Sequence, residues 1–170
     1  RQRQMCIRDS SRTLRDDLED RDAIRAFLLQ RAEMVGRRAR RHQVSGRVIA
    51  LTLRYADFTG VSRQQVQPDY LDSSEAIYRA GVKILDSMVL DQPVRLLGIR
   101  LSGLRFRTGQ LPLFAEERRR FLLTEARDSA NDRYGEFTVM FGSLLEQQGK
   151  GSHVISPAWR PQGVRNVAVR

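Results

Sequence analysis

Cysteine is all but missing from this chain: Cys6 is the only one. A single thiol excludes a disulfide framework and a cysteine-based zinc site. Histidine is nearly as scarce. His42 and His153 lie far apart, without the spacing of metal ligands, so each is expected to be solvated or hydrogen-bonded. No apolar run approaches the roughly 18 residues that a membrane span needs, and no signal-peptide core is visible. Lysine is rare too: of 30 basic residues, only Lys83 and Lys150 are lysine. Ser, His and Asp are all present, but no nucleophile elbow or Gly-rich phosphate loop is. No catalytic residue, metal ligand or cofactor site is therefore expected in this chain, and no membrane association. A soluble, cytoplasmic monomer is the expected state.

What is abundant is arginine. The formal net charge is +10. Arg1–Ser10, RQRQMCIRDS, reads as the in-frame translation of a sequencing-library transposon adapter. Setting aside its three arginines and one aspartate leaves +8. Cys6 is set aside with it. Arginine presents a planar fork of donors suited to phosphate oxygens. A basic surplus favours a polyanionic partner through steering and counterion release. A GC-rich genome would explain arginine in place of lysine, but not the excess of base over acid.

The remaining residues allow one ordinary domain and an extension. Ser11–Leu14 fits a short first strand, and the acidic cluster from Asp16 to Asp22 fits a turn and a helix N-terminus. Ile24, Phe27, Leu28, Ala32, Val35 and Ala39 recur at three- and four-residue steps, which predicts an amphipathic helix over 22–41. Ser45 and Gly46 are expected to turn the chain. Ile49, Leu51, Leu53 and Tyr55 then alternate with Val48, Ala50, Thr52 and Arg54, the period of a strand. Thr59-Gly60 signals a turn, and 61–67 a returning strand. A second helix follows Pro68 and the Asp72-Ser73-Ser74 cluster, with Ile77, Ala80, Ile84 and Leu85 on one side. Val94–Phe106 is the fourth strand. The order β-α-β-β-α-β implies an α+β domain: a four-stranded antiparallel sheet with both helices on one face. The other face is left bare, and its Thr, Ser and Arg make it a candidate binding surface. Beyond it, 116–134 is expected to be a third helix ended by Gly135, followed by a short strand over 137–141.

Several motifs carry a resemblance. Leu51–Phe58 reads LTLRYADF, Val61–Gln64 reads VSRQ, and an arginine-threaded apolar strand is followed by Gln110-Leu111-Pro112-Leu113-Phe114. In this order they resemble the C-terminal little-finger domain of Y-family translesion DNA polymerases, close to the DNA polymerase IV (DinB) type. His153–Pro161, HVISPAWRP, resembles a tail found in one bacterial subgroup. The resemblance implies a DNA-gripping domain over 11–106, a linker and sliding-clamp-binding peptide over 107–114, and a C-terminal helix and tail over 115–170. Palm carboxylates that hold magnesium in such polymerases belong to a segment N-terminal to this one, and neither a YVDMDxFF-like strand nor an SxDE-like turn occurs here. Magnesium is thus expected only of a full-length parent, and the chain alone should be inactive.

The resemblance assigns DNA-backbone contacts to Arg12, Thr13, Arg54, Arg63, Arg95 and Arg100, and clamp contacts to Gln110, Leu111, Leu113 and Phe114. Simple alternation would put Arg95 and Arg100 on opposite faces, and a bulge at Gly98 would bring them together. Tyr55 and Phe58 are expected in the core. No helix suits base reading, so the partner is primer–template DNA of any sequence. The alternative for the peptide is a hydrophobic staple onto the third helix. Two rival functions remain: a catalytically dead adaptor, and an RNA-binding module of ferredoxin-like topology, which would stack bases on aromatics of its two central strands.

Overall fold

The computed structural model describes residues 12–107, 112–135 and 137–147. Eight elements follow in chain order: β1 (Arg12–Leu18), α1 (Arg21–Arg41), β2 (Val44–Tyr55), β3 (Gly60–Leu71), α2 (Ser74–Asp86), β4 (Val94–Phe106), α3 (Ala115–Tyr134) and a 3-10 turn (Gly142–Gln147). The chain is α+β, and its four strands form one sheet in the order β1-β4-β2-β3. Every neighbouring pair is antiparallel.

The apolar periodicity builds the core. Ile49, Leu51 and Leu53 of β2 and Leu97, Ile99 and Leu101 of β4 are fully buried under α1 and α2. All six apolar α1 residues named from the periodicity are in that core. Asp20 starts α1 by accepting from the Asp22 and Ala23 amides, and Ser73 caps α2 through the Ala76 amide. Such caps satisfy backbone donors that the helix itself leaves free. Both helices lie on one side, so the opposite side of the sheet is uncovered among the described residues.

Local signals misplaced several boundaries. β1 runs on to Leu18, so Asp16 and Asp17 lie in a strand. The turn after α1 is made at His42 and Gln43, with Gln43 at φ 53°, and Ser45-Gly46 lies inside β2. β3 continues through Pro68 to Leu71. It can do so because it is an edge strand, where a missing N–H costs no ladder bond, and because the register slips there: Val48 pairs with Val66 but Gly46 with Leu71. Gly135 does end α3 with positive φ, but at φ 113° and ψ 157° rather than in the left-handed helical region. The strand expected over 137–141 is absent among the described residues. Asn131 instead satisfies both backbone groups of Val139, donating to its oxygen at 2.9 Å and accepting from its amide at 2.8 Å.

α3 returns along α1 and is held there by charge. Arg37 pairs with Asp132 at 2.8 Å, Arg127 with Glu33 at 2.9 Å, and Arg40 with Asp128 through two bonds. Leu144 adds an apolar contact beside α1.

Candidate nucleic-acid interface

The register defines the uncovered face row by row. Arg100, Ala50 and Gln64 share one row across β4, β2 and β3; Gly98, Thr52 and Ser62 share the next; Leu96, Arg54 and Gly60 the one after. The central positions are small, and the Thr52 and Ser62 hydroxyls are hydrogen-bonded at 3.1 Å. A flat centre lets a long backbone lie close to the sheet. Arg54 and Arg100 rise on either side of it, and no carboxylate stands in these rows. Arg54 is exposed and has no partner among the described residues. Arg100 is half-buried, and its Nε has no hydrogen-bond partner among them. A buried donor without an acceptor is costly, and the rest of the half-buried guanidinium is what this face offers to an incoming phosphate.

Arg95 joins this side by a different device from the one expected. Val94 and Leu97 both point into the core. Two residues between core-facing positions both face away from it, which simple alternation forbids. The register shows the cause: Leu96 pairs with Arg54 but Val94 with Tyr55, so Arg95 is an inserted residue. The bulge is thus at Arg95, and Gly98 sits in regular register opposite Thr52. Either position would unite Arg95 with Arg100, but only the cross-strand partners reveal which is used.

The β2–β3 turn abuts this bulge. Tyr55 is in the core, and its hydroxyl donates to the Val89 oxygen at 3.1 Å. Phe58 corrects the expectation of burial: it is 67% exposed at φ 69° and lies against Arg95, the guanidinium carbon 4.8 Å from the ring centre. Asp57 accepts from the Thr59 hydroxyl at 2.6 Å and amide at 2.9 Å, and from Gln92 at 3.1 Å. The Thr59 bonds, chiefly, hold its carboxyl below the usual carboxylate range.

The other arginines lie elsewhere. Arg63 pairs in register with core-facing Leu51, hence on the helix side, and donates to the Ser87 oxygen at the end of α2 at 2.9 Å. On β1, Arg12 is opposite Leu97 and Thr13 opposite Leu96. Sequence reasoning missed Arg40, whose long-range partners no local pattern announces.

Gln110 and Leu111 lie outside the described residues, as do Thr108 and Gly109. A reachable plug implies a mobile linker over 107–109, but Arg107 is tied down. It pairs with Asp72 at 2.9 Å, its amide donates to the Gln43 oxygen, and it lies over the Phe121 ring. Leu113 and Phe114 are 82% and 68% exposed. A staple would pack Leu113 against the fourth residue of α3, but that residue is Arg118, and Leu113 meets water instead.

Among the described residues no three His, Cys, Asp or Glu side chains form a metal site. Magnesium therefore has no donor set among them. The central strands carry no aromatic in the rows just described, so the base-stacking platform of the RNA-binding alternative is missing from them. No described helix is long and apolar enough to cross a membrane.

A bare, basic, antiparallel sheet over a two-helix layer defines an α+β domain with one open sheet face among the described residues. The family model for the impB/mucB/samB family C-terminal domain matches residues 10–113, and the chain belongs to that family. DNA polymerase IV of Pelotomaculum thermopropionicum is 33% identical over 150 residues, covering 83% of this chain and 37% of that protein. DNA polymerase IV of Moorella thermoacetica is 35% identical over 129 residues, covering 75% and 32%. The chain therefore spans about a third of the length of these curated relatives. Among solved structures, the complex of a beta-clamp processivity factor and the little finger domain of PolIV matches with TM-score 0.48 and 16% identity, over 63% of this chain and 96% of that one. The chain is thus homologous to the C-terminal part of DNA polymerase IV.

Proposed function

We propose that this chain is the DNA-gripping and clamp-tethering part of a translesion polymerase acting in damage tolerance and the SOS response of a bacterial cytoplasm. The observation that carries the reading is the three acid-free rows of the open face with two arginines, Arg54 and Arg100, that have no acceptor among the described residues. Arg95 completes it from the bulge, and Thr13, in register with Leu96, continues the face along β1, whereas Arg12 is in register with core-facing Leu97 and falls outside these rows. Phosphate contacts position a protein but do not read bases, so duplex just behind a primer terminus is gripped whatever its sequence. Arg63 could join only by leaving Ser87. Residues 11–106 form the grip, 107–114 the linker and plug, and 115–170 the extension. Primer-extension chemistry, with its magnesium, belongs to a full-length parent, and the chain works as a monomer.

Arg54→Ala and Arg100→Ala should each weaken duplex binding about equally on unrelated sequences. Each should flatten the slope of log K against log salt by about one unit. Fluorescence anisotropy across a salt series measures both. Unchanged slopes in both variants would remove the face from the site. Purified chain should extend no primer with magnesium present, as a gel-based incorporation assay would show. Extension that persists through further purification would overturn the assignment.

A further inference from the structure

Phe58 stands out among the exposed side chains. A bulky residue at φ 69° is rare and costs energy, and its ring contributes little to the core at 67% exposure. Yet its position is strongly determined. Its amide donates to the Tyr55 oxygen at 3.0 Å, and Asp57 brackets the turn through Thr59. Two further bonds tie this turn to the segment just before Arg95: the Ala56 amide to the Pro93 oxygen at 3.1 Å, and Gln92 to Asp57. The turn and the bulge are thus fixed relative to each other, and the ring meets the guanidinium.

The means of fixing matters. A carboxylate would hold Arg95 by consuming its N–H donors and neutralising its charge. An aromatic face attracts the cation through its quadrupole and takes no donor. Arg95 has no ion pair among the described residues. Its charge and its planar fork remain available on the side of the sheet where Arg54 and Arg100 stand.

We propose that Phe58 is the positioning residue of a phosphate clamp, holding the Arg95 guanidinium at the rim of the open face for one phosphodiester of the DNA backbone. The inference rests on the DNA-gripping reading and adds to it a specific device at the β2–β3 turn. It is tested with the full chain and a labelled primer–template duplex, by anisotropy, with melting curves alongside. Phe58→Leu keeps bulk and loses the ring; Phe58→Tyr keeps the ring. Phe58→Leu should weaken binding about two- to fivefold, the usual worth of such a pair at an exposed site, and Phe58→Tyr should bind like wild type. Combining Phe58→Leu with Arg95→Ala should cost no more than Arg95→Ala alone, because the ring acts through the guanidinium. Melting temperatures should stay close together, since the ring is largely in water. If wild type binds and Arg95→Ala weakens it, but Phe58→Leu is neutral or its effect simply adds, the positioning role is wrong and the grip stands. The positioning role is equally wrong if Phe58→Tyr fails to restore binding, or if Arg95→Ala is silent while Arg100→Ala is not. If wild type fails to bind duplex at all, grip and clamp fall together.

Discussion

Replacing Leu113 and Phe114 together with alanine is expected to abolish binding to the bacterial sliding clamp while leaving duplex binding and thermal stability intact. Both side chains are mostly in water, so the fold gains little from them. Transferring each into an apolar pocket contributes about 1.5–3 kcal/mol, less the cost of ordering the peptide. Losing both removes on the order of 3–6 kcal/mol, roughly two to four decades of affinity. Gln110 and Leu111 would supply the amide contact and a further apolar one. The plug begins a helix: Phe114 is the N-cap of α3, extended at φ −79° and ψ 140°, with no side-chain cap bond. Just before the peptide, Arg107 is tied to Asp72 at 2.9 Å. Titrating wild type and double variant against purified clamp, with melting curves in parallel, measures the effect. No clamp affinity in wild type at high micromolar concentration would end the tethering claim. A lowered melting temperature in the variant would revive the staple.

The second large effect is expected at Arg40, which is only 8% exposed. Its guanidinium joins three elements: Asp128 of α3 at 2.6 and 2.9 Å, the Asp72 oxygen at 2.9 Å and the Ser74 hydroxyl at 3.2 Å. Gly36 lets α2 come this close, because a Cβ there would lie 2.5 Å from the Ser74 oxygen. Arg40→Ala leaves Asp128 without its partner and two acceptors near the start of α2 unfilled. Breaking a largely buried pair from one side costs about 3–5 kcal/mol, and the partial exposure of Asp128 argues for the lower end. Denaturant melting should show that loss, and limited proteolysis should release α3 first. Arg79→Ala is the control. Its pair with Glu75 is exposed at 64% and 56%, and such a pair is worth about 0.3–0.5 kcal/mol. Equal melting of the two variants would mean that the Arg40 junction does not hold the extension.

The two effects concern different ranges of the chain. The helices and strands were legible because their signals are local. Three- and four-residue spacing in 24–39 selects a helix, and alternation in 48–55 selects a strand, whatever lies elsewhere. The sequence by itself therefore determined the β-α-β-β-α-β order, the core residues of α1 and β2, the charge surplus and the QLPLF peptide. It did not determine where β4 bulges. That depends on which residue of β2 stands opposite, and a one-residue slip exchanges the faces. Nor did it separate Tyr55, which closes the core, from Phe58, which leaves it at a left-handed turn. Arg63 looked equivalent to Arg54 in its motif, and only the pairing with Leu51 put it on the helix side. The docking of α3 was the least legible feature. The residues that Arg40 and Arg37 bind in α3 are 88 and 95 positions away. Nothing in a run of arginines tells which will be buried among carboxylates and which left for a ligand. Tertiary structure decides that, because an ion pair forms only where the chain's long-range path brings two charges together and shields them from water.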